Sequence, residues 1–96
     1  MSALHPQTIA ELHNILDAQP PGTLLFIYWI PDTYPVVTQT ITRQPTHWTT
    51  DIAGYECSII KTHELIAGLV SLPDTSKVAL MCWDNASEIV LDAVKD

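Results

Sequence analysis

The chain has 96 residues, enough for one small folding unit and too short for two. Hydrophobic residues make up 47% and mean hydropathy is +0.16, which excludes an intrinsically disordered chain, while 11 acidic against 4 basic side chains leave a formal net charge of −7. The four cations, Arg43, Lys61, Lys77 and Lys95, stand singly, so neither nucleic-acid phosphates nor a membrane surface is an expected partner, and the acidic balance favours a basic protein.

Ile9, Leu12, Ile15 and Leu16 recur at helical spacing and predict a first helix from Pro6 to about Ala18. Pro6 suits its first position, Leu4 and Ile9 fit a hydrophobic staple, and Pro20-Pro21-Gly22 stops it. Thr23 to Ile30 is apolar on both alternating faces and reads as a central strand. After turn residues Pro31 to Pro35, Val36 to Arg43 sets Val37 and Ile41 against Thr38, Thr40 and Thr42, the pattern of an edge strand with one wet face. Thr46 to Ile52 reads as loop, and Ala53 to Ile60 as a third strand with Tyr55, Cys57 and Ile59 inward.

Thr62 is the expected N-cap of a second helix with the stripe Leu65, Ile66, Leu69 and Val70, ended by Pro73. Lys77 to Trp83 is again apolar on both faces and predicts a second central strand. Ala86, Ile89, Val90, Ala93 and Val94 fit a closing helix with Asn85 and Glu88 as a capping-box variant, and a strand returning through Asp84-Asn85-Ala86-Ser87 is the alternative. No internal repeat stands out. Residues 1–96 therefore read as a single α+β domain, a mostly antiparallel sheet of four or five strands with two or three helices in the order α-β-β-β-α-β and then α or β.

Catalytic and ligand chemistry finds little support. Cys57 and Cys82 lie in strand-like runs without CxxC spacing and read as packed, reduced thiols. With no basic N-terminal leader pattern and no apolar run long enough to span a bilayer, this points to the cytoplasm. Cys57 and His63 form the nearest Cys/His pair but have no glycine-rich turn beside them, so an enzyme is not expected. His5, His13, His47 and His63 match no zinc spacing; Gly22, Gly54 and Gly68 are too scattered for a phosphate loop; Asp51 and Glu56 read as loop charge. No catalytic residue, metal or cofactor is assigned.

Two features point to binding. Asp84, Glu88, Asp92 and Asp96 recur every four residues, so a helical C-terminus would gather them into an acidic ridge for a basic groove. Trp48, in the polar run Gln44 to Asp51, and Tyr34, in a turn, are candidate exposed anchors. The doubly apolar strands place Leu25, Ile27, Trp29, Ala79, Met81 and Trp83 on a sheet face open to a symmetric dimer, with Trp29, Met81 and Trp83 as its self-association residues. The reading that results is a small acidic module that neutralises or inhibits a larger basic protein, nucleic-acid-binding proteins among the candidates. Small size, acidity and the absence of catalytic signatures are shared with immunity proteins and phage-encoded inhibitors such as anti-CRISPR proteins. Two alternatives stay open: a homodimeric acidic adaptor, whose element order is similar to that of small acidic secretion chaperones in topology alone, and a small Cys/His enzyme.

Overall fold

In the computed structural model, which describes residues 2–50 and 58–95, the two long helices begin alike. At the start of α1 (Ile9–Asp17) the Glu11 amide donates to Thr8 Oγ1 (3.1 Å), and the Glu11 carboxylate turns back to accept from the Gln7 amide (2.7 Å). At the start of α2 (Thr62–Val70) the Glu64 carboxylate accepts from the Lys61 amide (3.1 Å). Each return bond satisfies a backbone donor at the helix entry, that of the N-cap Lys61 in α2 and that of Gln7, one residue before the N-cap Thr8, in α1, and sets negative charge at the positive end of the helix dipole.

The likeness runs much further. A shift of 53 positions carries α1 onto α2 (9 to 62) and β2 (Leu24–Trp29) onto β6 (Lys77–Cys82; 24 to 77). Under that shift Glu11, Leu12, Leu16 and Pro20 meet Glu64, Leu65, Leu69 and Pro73. Backbone bonds from Leu12 to Thr8, Gln19 to Leu16 and Thr23 to Pro20 recur from Leu65 to Lys61, Leu72 to Leu69 and Ser76 to Pro73. β2 and β6 pair antiparallel with Phe26 opposite Ala79, its own counterpart, so a pseudo-twofold axis crosses the sheet there. The chain is an internal repeat, which its sequence conceals because so few of the matched positions are identical.

Among the described residues, seven strands form one sheet in the order β1-β7-β6-β2-β3-β4-β5, which includes β1 (Ser2–Leu4), β3 (Val36–Arg43), β4 (Trp48–Thr50), β5 (Ser58–Ile60) and β7 (Asn85–Ile89). Each half contributes a β-α-β-β unit, and β4 is an extra strand set between β3 and β5. A four-residue helix, α3 (Asp92–Lys95), closes the described chain. Leu12, Leu16, Leu65, Ile66 and Leu69 from the helices join Leu25, Ile27, Ile41, Trp48, Val78, Leu80 and Ile89 from the sheet in one core. Burying each such aliphatic side chain stabilises the fold by about 1.5–3 kcal/mol.

The α+β class holds, with a larger sheet and a different element order from those expected. Residues 2–4 form a strand parallel to β7 instead of leading directly into a helix, so α1 starts at Ile9, Pro6 is buried in the connection, and His5 precedes the helix that carries His13. α2 has Lys61 at its cap, and Thr62 in its first turn donates from Oγ1 to Asp17 Oδ1 (2.6 Å), tying the helices together. β3 is internal, not an edge, because β4 arises within the expected loop and pairs with it. Ile59 is 70% exposed rather than inward, while Tyr55 and Cys57, with the proposed start of that strand at Ala53, lie outside the described residues. The closing segment takes the strand alternative over 85–89: pairing with β6 and β1 satisfies backbone that a helix there would leave bare at a sheet edge.

Candidate functional site

Register decides which side chains share each face. Leu25 lies opposite Leu80 and Ile41, facing the helices, whereas Phe26 lies opposite Ala79 and Thr40, facing away. The expected grouping of Leu25 and Ile27 with Ala79 and Met81 therefore fails, since the strands are paired one residue out from that assignment. A bulge at Thr38, whose Oγ1 donates to the Ile27 carbonyl (3.0 Å), resets the alternation, so Val37 joins Tyr28 on the outer face. Both long helices lie on the other side. The outer face holds a shallow apolar concavity of about 480 Å³ lined by Phe26, Tyr28, Ile30, Pro35, Val37, Ala79 and Met81.

Among the described strand residues, Lys77 and Glu88 carry the charges on this face, on the neighbouring strands β6 and β7. Burial, and secondarily the Glu88 carboxylate, raises the Tyr28 phenol above its ordinary value.

At opposite ends of the face stand the two hairpin connections. Ile30 to Pro35 forms the longer one and carries Tyr34, 79% exposed, with Asp32 nearby in sequence. The other is a tight turn of Trp83 and Asp84 between the paired residues Cys82 and Asn85. Trp83 is 92% exposed and has φ 55, a backbone region costly for a bulky side chain. The turn demands that conformation at its first central residue, where glycine is usual. Trp83 borders a hollow it shares with Pro21, Gly22 and Cys82.

The other sequence-derived candidates are dispersed. Trp48 is not an exposed anchor: it is 0% exposed in the core, with the Arg43 guanidinium 5.5 Å from its ring centroid. Its polar neighbours hid this, because β4 turns the indole toward the helices while the flanking residues face elsewhere. The acidic ridge does not form. Asp84 sits in the turn, Glu88 on β7 and Asp92 in α3, while Asp96 lies outside the described residues. Met81 and Val37 lie on the outer face at 42% and 51% exposure, whereas Trp29 has the opposite orientation at the end of β2. Phe26, Tyr28, Val37 and Ile30 were missed as site residues; the available signal was the doubly apolar β2, whose second face had no helix to cover it.

Among the described residues no three His, Cys, Asp or Glu side chains gather as a metal site, and no helix is long and apolar enough to cross a membrane. His13 Nδ1 meets Asp17 Oδ2 at 3.2 Å, one turn along α1, and His47 Nδ1 meets Thr46 Oγ1 at 3.1 Å. Cys82 is a free thiol beside Trp83; Cys57, Asp51 and Glu56 lie outside the described residues. The chain matches no protein-family model, no curated protein and no solved structure.

Proposed function

We propose that the chain is a small acidic protein-binding module that neutralises or inhibits a larger basic protein, in the manner of an immunity protein or a phage-encoded inhibitor such as an anti-CRISPR. Trp83 and Tyr34 are its anchors. The supporting observation is Trp83 itself: a fully presented indole on strained backbone, at a position where glycine would relieve the strain. Water offers no compensation for that arrangement, whereas an apolar pocket on a partner does, and tryptophan is among the side chains that dominate such contacts. Asp84 beside Trp83 and Asp32 near Tyr34 give each anchor a negative surround, consistent with steering toward a basic surface.

Affinity capture from native host lysate, at low and then moderate salt, tests this with wild type beside Trp83→Gly. A basic protein held by the wild type, weakened as salt screens charge and lost with the correctly folded glycine variant, supports the reading. Equal capture of that protein by both chains would overturn it, as would the absence of any basic protein at low salt.

A further inference from the structure

We infer that the outer sheet face is closed by the same face of a second copy, giving a symmetric dimer. This rests on the uncovered face and is independent of the role given to Trp83. Charge distribution argues for that occupant. Although the chain carries −7, among the described strand residues of this face Lys77 offsets Glu88, Asp32 and Asp84 stand only in the connections at its ends, and Glu11, Asp17 and Glu64 belong to the helices on the opposite side. The middle of the face, unlike the two connections at its ends, offers a basic protein no concentration of charge, and a second copy brings little like charge to it.

Size and composition agree. Four central strands about 4.8 Å apart and about 20 Å long present roughly 400 Å² in plan before side-chain relief is counted. The outer strands extend this toward the roughly 800 Å² per partner of a standard interface. Its middle is apolar, with Phe26 and Ala79 on the internal pseudo-axis and Met81 and Val37 half-exposed around them. Pairing through the β1 edge offers less, because that strand has 3 described residues.

Sedimentation velocity over a wide concentration range tests the inference. The wild type should sediment as a species of about twice 10.7 kDa that dissociates on dilution. Met81→Asp and Val37→Asp place carboxylates at the centre of the contact and should each raise the dimer dissociation constant at least about ten-fold. Lys77→Glu, a surface change with little risk to folding, should weaken the dimer in the same direction by making the face doubly negative. A wild-type monomer at every concentration overturns the inference. So does a dimer that all three folded variants leave intact, since it would use another surface. Trp83→Gly should retain the dimer even where it loses the captured basic protein, so failure of either proposal is seen separately.

Discussion

At the end of α1, the Asp17 and Gln19 carbonyls accept from Arg43 Nη2 and Nε, each at 3.3 Å, and the guanidinium is buried against Trp48. At the end of α2 the carbonyl of Leu72, the counterpart of Gln19, accepts from Lys95 Nζ at 2.8 Å, and the amine remains partly in water. The two halves thus meet one requirement, a cation on orphaned carbonyls at the negative end of a helix, with different residues from different elements. What the repeat preserves is a set of unsatisfied groups and an apolar stripe, and many side chains can answer either. The halves diverge freely where they meet solvent: the connection that is a tight turn at Trp83 is a longer loop at Ile30, its counterpart.

The equivalence of the halves is most exposed to failure in the core. Leu16 and Leu69 occupy matched positions and are both fully buried. Leu16→Ala and Leu69→Ala should each cost about 2–5 kcal/mol in denaturant unfolding, and a gap above about 2 kcal/mol between them would break the equivalence. The caps should differ instead. Arg43→Met removes a buried guanidinium with its part-buried bonds and its contact to Trp48 and should cost about 2–4 kcal/mol, against about 1 kcal/mol or less for Lys95→Met at its wetter site. Comparable losses for both would mean that burial of Arg43 adds nothing.

At the hairpins the sign should reverse between halves. Trp83→Gly removes the cost of a positive φ and should stabilise the free chain by about 1 kcal/mol, whereas Ile30→Gly, where no positive φ is relieved, should give no gain. Thermal melts of the two variants decide it; destabilisation by Trp83→Gly would show that the indole packs locally after all.

The smallest effect is a titration. Because burial and Glu88 raise the Tyr28 phenol in the folded chain, the unfolded chain ionises first as pH climbs past 10.0. The associated stability is fully present below that value and is lost as pH rises through the folded one. Tyrosinate absorbance should show one of the tyrosines titrating late, Tyr28→Phe should remove that phase, and Glu88→Gln should move it part of the way back. A Glu88→Gln profile identical to wild type would place the carboxylate out of reach of the ring.

Helical stripes at Leu12 and Leu16 and at Leu65 and Leu69 were legible because their spacing is a local property of the helix. So were the doubly apolar β2 and β6, whose runs read as central strands without reference to the rest of the chain. The candidate site was legible only in part: the sequence marks Met81 and Trp83 as surface candidates and Tyr34 as a turn aromatic, but it groups Met81 with Leu25 and Ile27 instead of Phe26 and Tyr28. That error has a single cause. One residue of register exchanges the two faces of a strand, and register is set by the paired strand, not by the strand read alone.

By itself, then, the sequence determined the charge, the α+β class, the two long helices and the two central strands, all consequences of composition and near-neighbour spacing. Tertiary structure decided that Trp48 is core, that residues 85–89 are strand, that the two halves repeat and that Phe26 faces outward. Each of these depends on partners far away in the chain. A short segment with several acceptable conformations takes the one in which its backbone groups and apolar atoms find partners, and only the assembled sheet supplies them.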